Sequence, residues 1–171
     1  RNGNRSATRT GVQALSKDEV TDYLRSHTIF SDLDPAHIEI LAEHVTEKTF
    51  AAGDMLFRQA DSAEHFYILM DGSIKVEVPS IMGPALVVQT LGANEVLGWS
   101  WLIPPYKWTF EAKAEQESKV LEFDGKALLQ HCEKDNNFGY ALMKRFTGLM
   151  SQRLHAARMK MMDSWAPAGW A

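Results

Sequence analysis

Cysteine is nearly missing from this chain: of 171 residues, only Cys132 carries a thiol. That excludes an intramolecular disulfide framework and any zinc or iron–sulfur site built from several cysteines. Long apolar runs are missing too. None approaches the roughly 18 residues that a membrane span needs, and no signal-peptide core opens the sequence. A cytoplasmic protein without membrane contact is the expectation. Catalytic signatures are also lacking, since no G-x-S-x-G, Walker A, H-E-x-x-H or kinase pattern occurs. The six histidines are scattered, with none four residues from another. No metal ligand and no catalytic residue is therefore assigned, and the chain reads as something other than an enzyme.

What is present is an ordinary globular composition, 45% hydrophobic and 23% charged. A single domain of this length should bury roughly 70% of its extended-chain surface. Charge is unevenly spread. Residues 1–16 carry three arginines and no acid, residues 17–135 carry 10 basic and 21 acidic side chains, and residues 136–162 carry five basic side chains and no acid. An acidic body with a basic final segment is not a general nucleic-acid binder, though a local anionic contact on that segment stays open. The plainer account is a solvated helix face held near the acidic body.

The chain divides into four stretches. Residues 1–15, rich in Asn, Ser, Thr, Arg and Gly, read as a flexible tail. Residues 16–135 hold two helices, a β region and a short helix. Ser16-Lys17-Asp18-Glu19 fits a capping box that starts a helix running to about Ser26. Asp34-Pro35 offers an N-cap acceptor and a proline at the first helical position, with Ile38, Leu41, Ala42 and Val45 at helical spacing behind. From Thr46 to Asp124, short runs such as Phe66–Met70, Ile74–Val78 and Leu86–Val88 alternate with turn signals. Strands are also expected at Met55–Phe57, Trp108–Ala114 and Ser118–Phe123. Asp71-Gly72 predicts a tight hairpin between its flanking strands. The sum is an α+β, mainly β, fold: an antiparallel barrel or jelly roll flanked by two short N-terminal helices and a long C-terminal one. That last helix covers 136–163, and 164–171 reads as a frayed end.

Several of these runs resemble the cyclic-nucleotide-binding domain of Crp/Fnr-type regulators and cyclic-nucleotide-dependent kinases. They are Phe30-Ser31-Asp32-Leu33, Ala52-Gly53-Asp54-Met55-Leu56-Phe57-Arg58-Gln59 and, above all, Phe66-Tyr67-Ile68-Leu69-Met70-Asp71-Gly72-Ser73-Ile74-Lys75-Val76. The resemblance spans about Phe30 to Asp163. It implies a site in which a glycine precedes a short helix whose free amides receive a cyclic phosphate. It also implies a glutamate just after the glycine for the ribose and an arginine about ten residues on for the phosphate. Here the segment runs Val96-Leu97-Gly98-Trp99-Ser100-Trp101-Leu102-Ile103-Pro104-Pro105-Tyr106-Lys107-Trp108-Thr109. Gly98 is in place, Trp99 stands at the glutamate position, and Trp108 stands at the arginine position with Lys107 beside it.

Those departures count against ordinary cAMP or cGMP binding. Lysine gives phosphate a point charge where arginine gives a bidentate fork. A ribose hydroxyl left unpaired in a dry pocket costs about 1–3 kcal/mol. The clustered tryptophans admit three readings. They could wall a pocket for a cyclic nucleotide, another nucleotide-like compound or a different planar anion, with Gly98, Trp99, Ser100, Trp101, Lys107, Trp108 and Thr109 as ligand-binding residues. They could form a protein-contact patch. Or they could refill the space a nucleotide would occupy. No cofactor is assigned.

On the long helix, Leu142, Phe146, Leu149, Met150, Arg153, Leu154 and Ala157 lie along one stripe and form the expected homodimer seam. Only eight residues follow Asp163, too few for a helix-turn-helix. No direct DNA binding by this chain is expected, and the end reads as that of a stand-alone regulatory domain. Two alternatives stay open: a ligand-free subunit that docks on a larger protein, and the sensor half of a longer transcription regulator.

Overall fold

The computed structural model describes residues 14–165. The tail expected over 1–15 lies outside the described residues as far as Gln13, as does the expected frayed end from Ala166 onward. Helix α1 (Lys17–Ser26) begins at the capping box: Ser16 Oγ accepts from the Glu19 amide, and the Glu19 carboxylate accepts from the Ser16 amide. Helix α2 (Pro35–Glu43) starts on its proline, but the Asp34 carboxylate takes no helix amide. Val45, expected on that helix, instead opens strand β1.

Eight strands come next: β1 (Val45–Phe50), β2 (Met55–Phe57), β3 (His65–Asp71), β4 (Ile74–Val78), β5 (Leu86–Leu91), β6 (Val96–Leu97), β7 (Glu111–Ala114) and β8 (Ser118–Asp124). They form two antiparallel four-stranded sheets, ordered β1-β8-β3-β6 and β2-β7-β4-β5. The hairpin expected at Asp71-Gly72 is not formed. β3 and β4 enter different sheets, so this turn is a corner from one sheet to the other. Gly72 has φ +111, and a Cβ there would sit 2.6 Å from the Ser118 Cα, so the corner needs both the positive φ and the missing side chain. The expected strand from Trp108 begins only at Glu111.

Alternation along β3 assigns its side chains to two cores. Phe66 and Ile68 join a cluster under the helices with Phe30, Trp101, Phe123, Phe138 and Phe146. Tyr67 and Leu69 point into a second cluster between the sheets with Phe57, Ile74, Val76, Leu97, Trp108 and Val120. Phe66 and Phe123, paired across β3 and β8, stack with ring centroids 4.4 Å apart and planes 1° from parallel. Burying such a ring fully stabilises the fold by about 1.5–3 kcal/mol. Both faces of β3 are therefore apolar, which is why its sequence alternates so weakly.

Helix α3 (Gly125–Lys134) is capped by Asp124, whose carboxylate accepts from the Ala127 amide at 3.0 Å. Asp135 does the same for helix α4 (Asn136–Trp165), accepting from Asn137 and Phe138. α4 continues two residues beyond the expected Asp163 end. Its first half, through Phe138, Leu142, Phe146 and Leu149, is buried in the cluster under the helices. Arg145 anchors this half with an ion pair to Asp32 at 3.1 Å. Leu142, Phe146 and Leu149 are therefore intramolecular core and not a dimer seam: each is buried in the cluster that holds Trp101 and Phe66. Among the described residues, no helix is long and apolar enough to cross a membrane.

Candidate ligand-binding site

The chain leaves β6 at Leu97 and bends sharply at Gly98, whose φ is +96. Residues 99–102 then form a turn closed by the Leu102 amide on the Trp99 carbonyl at 3.0 Å, not the short helix expected there. Beside this turn is a cavity of about 510 Å³, within the usual ~300–1,000 Å³ range of small-molecule sites. The barrel supplies one wall through Phe57, Val76, Val88 and Leu97, and α4 supplies the other through Met150, Leu154, Ala156 and Ala157.

Of the residues expected to bind ligand, Gly98, Trp99, Ser100, Trp108 and Thr109 line the cavity. Trp108 is buried and lies flat on Phe57, with centroids 3.7 Å apart and planes 8° from parallel. Its far edge covers Gly98, where an added Cβ would stand 2.7 Å from the ring. Trp99 is half-buried at the rim. Trp101 and Lys107 lie elsewhere. Trp101 is 1% exposed under the helices, stacked on Phe66 at 5.3 Å and edge-on to Phe146. Its Nε1 has no hydrogen-bond partner. Both tryptophans pack on the cluster under the helices: Trp101 is fully buried in it, while Trp99 lies half-buried against it and also lines the cavity. Lys107 is exposed, on a segment bridged to Ser62.

The cations of the cavity come from α4. Arg153 interrupts the apolar stripe of that helix, and its guanidinium sits 5.4 Å from the centroid of the Trp99 ring, within cation–π range. It also donates to the Val96 carbonyl, tying α4 to β6. Burial pulls its pKa below the ordinary arginine value, opposed by the negative charge of Glu95. Lys160 adds a second, exposed cation at the mouth. Neither aspartate nor glutamate lines the cavity among the described residues. Met150, Arg153, Leu154 and Ala157, expected in a dimer seam, thus form a wall of this cavity. Phe57, Val76, Val88, Gln89, Leu97, Phe110, Ala156 and Lys160 were not singled out as site residues. Arg153, a charge set in an apolar stripe, was the one local signal that this part of α4 meets polar groups of the barrel.

The sequence profile of the cyclic nucleotide-binding domain matches residues 47–135. The chain belongs to the cyclic nucleotide-binding domain family. Solved structures of similar fold include a candidate cyclic nucleotide-binding protein of Geobacter metallireducens, 25% identical with a TM-score of 0.72, where the match covers 79% of this chain and 98% of that one. The sensor domain of the transcriptional regulator DNR of Pseudomonas aeruginosa is 20% identical with a TM-score of 0.66, over 81% and 93% of the two chains. The regulatory domain of Toxoplasma gondii PKA, solved with cAMP, is 20% identical with a TM-score of 0.65, over 82% of this chain but only half of that one. The likeness to these last two is one of fold. A comparison with curated proteins finds no match. In this cyclic nucleotide-binding domain Trp99 opens the turn after Gly98, and the Trp108 ring packs back over the glycine.

His131 and Cys132, outside the cavity, are structural. His131 packs edge-on against His44 at 4.9 Å and against Phe138. Cys132 is half-buried, and burial pushes its thiol up to about 11, so it is no thiolate partner for His131.

Proposed function

We propose that this chain is a non-catalytic regulatory domain that senses a nucleotide-like or other planar anionic small ligand beside Gly98 and signals through α4. The observation that carries this reading is the cavity itself. Trp99 and Trp108 offer faces for stacking, Arg153 and Lys160 offer positive charge, and one wall is the helix that leaves the barrel. Ligand and relay would share a residue. Arg153 ties α4 to the Val96 carbonyl, and an anion that takes the remaining guanidinium donors would bear on that tie. A ligand that binds one placement of α4 better than another shifts the helix by that difference in affinity.

The retained cavity favours this reading over a ligand-free subunit, whose tryptophans would have filled the space. Self-association of the domain falls to the second half of α4, where Leu154, Met161, Met162 and Trp165 are exposed. The test is a thermal-shift and tryptophan-fluorescence panel over cAMP, cGMP, cyclic dinucleotides, adenine nucleotides and simple aromatic anions. At a hundred times its dissociation constant, a ligand stabilises the domain by about 2.7 kcal/mol, a melting shift of about 5–10 °C at this size. A response lost in Trp99→Ala supports the reading; silence across the panel moves the protein to the partner-binding class.

A further inference from the structure

The geometry points to a sugar-free, largely apolar, planar monoanion (an aryl carboxylate or its like) as the ligand class of the cavity, with Arg153 as the group that receives its charge. This rests on the ligand-sensing reading above and narrows it.

Three features of the lining carry the inference. First, the walls are apolar on both sides. Leu97 and Val88 of the barrel face Met150 and Leu154 of α4, with Gln89, Ser100 and Thr109 as the uncharged polar groups. A ribose would bring hydroxyls that lose water against these surfaces, and no carboxylate among the described lining residues is there to accept from them. An aromatic ring brings no such debt, and Trp99 and Trp108 give it faces to stack on.

Second, the buried charge of the cavity is single. Arg153 is half-buried, whereas Lys160 is exposed at the mouth, where its attraction is screened by salt. One desolvated cation balances one negative charge, and a doubly charged phosphate would carry an excess into an apolar space.

Third, Arg153 has donors to spare. A guanidinium has five N–H groups. The Val96 carbonyl takes from one nitrogen and the Trp99 ring covers the face; Glu95 acts on the charge from nearby, but its carboxylate accepts from the Gly92 amide and makes no ion pair with Arg153. Its in-plane fork suits a planar carboxylate. Placing that fork on α4 rather than on the barrel makes charge recognition and helix position one event.

The experiment compares 2-naphthoate, its neutral isostere 2-naphthamide, and cAMP by tryptophan quenching and melting shift. It is run on the unmodified protein, on Arg153→Met and on Lys160→Met. The expected result is that 2-naphthoate binds at least tenfold more tightly than either 2-naphthamide or cAMP. Arg153→Met should erase the acid-over-amide preference, while Lys160→Met should change it less than threefold. Equal binding of acid and amide to the unmodified protein overturns the inference without needing any variant. So does an unchanged preference in Arg153→Met. If cAMP or another nucleotide binds more tightly than 2-naphthoate, this ligand class is wrong and the sensor reading stands. If neither aromatic anions nor nucleotides bind, both fall.

Discussion

Trp108 lies flat on Phe57 with ring centroids 3.7 Å apart, and the outer edge of the same indole closes over Gly98. Gly98 brings the backbone close to a side chain. Gly98→Ala therefore meets two costs, a left-handed φ of +96 and a Cβ placed 2.7 Å from the ring. We expect it to destabilise the domain by about 1–3 kcal/mol. At roughly 2–4 °C per kcal/mol for this size, the melting point should fall by several degrees. An unchanged melting point would mean that Trp108 moves freely and does not form the cavity floor.

Trp99 and Trp101 are separated by one residue and have opposite roles. Trp101→Ala removes a ring that is 1% exposed and contacts Phe66 and Phe146, and should cost about 3–5 kcal/mol. Trp99→Ala gives up a half-buried ring that touches Arg153 and the edge of the same core, and should cost less because less of it is buried. Urea unfolding of the two variants separates them. Similar midpoints would contradict the division into core and cavity tryptophans.

His27 makes the fold sensitive to mild acid. Its Nδ1 accepts from the Ile29 amide at 3.2 Å, so its Nε2 carries the proton and donates to the Asn94 carbonyl at 2.7 Å. Burial holds the pKa below the ordinary value, against the opposing effect of that carbonyl. The unfolded chain then binds the proton first, near the ordinary pKa of about 6.5. The stability His27 lends is complete above that pH and is lost as pH falls from there through the lower folded pKa. Melting points taken from pH 8 to pH 5 should fall more steeply for the unmodified protein than for His27→Gln. Parallel slopes would remove His27 from the account.

Cys132 should resist alkylation in the folded state. With its thiol pushed up to about 11 by burial, the thiolate is scarce at pH 8. Labelling by iodoacetamide should run roughly a hundredfold slower than in urea, where the ordinary pKa of about 8.5 returns. Equal rates in the two conditions would contradict the burial.

Local signals were legible in the sequence and non-local ones were not. The capping box at Ser16 and Glu19 involves groups three residues apart, so the sequence alone locates it. Asp71-Gly72 correctly marks a turn with positive φ. Whether its strands pair with each other depends on β7 and β8, some forty residues away, and they do not pair. β6 is two residues long and leaves no period to detect. Gly98, Trp99 and Trp108 lie in one short segment and line the cavity from the barrel side, whereas Trp101 and Lys107 of the same segment do not. The α4 side stayed hidden: a stripe of Leu, Met and Ala fits a dimer seam and a cavity wall equally well, and only the fold shows that its first half is core and part of its second half is wall. Trp101 could not be told from Trp99 because the turn, not strand alternation, decides how deeply each is buried.

Hydrogen exchange read by mass spectrometry tests the central claim most directly, run with and without the panel compound that gives the largest melting shift. A ligand held between Gly98–Trp101 and α4, and signalling through that helix, should change exchange in both segments together. Peptides covering residues 97–101 and 150–160 should respond, while β1 and α1 stay unchanged. Protection confined to the barrel, with α4 unaffected, would contradict the helix as relay, and changes elsewhere in the chain would place the ligand outside this cavity.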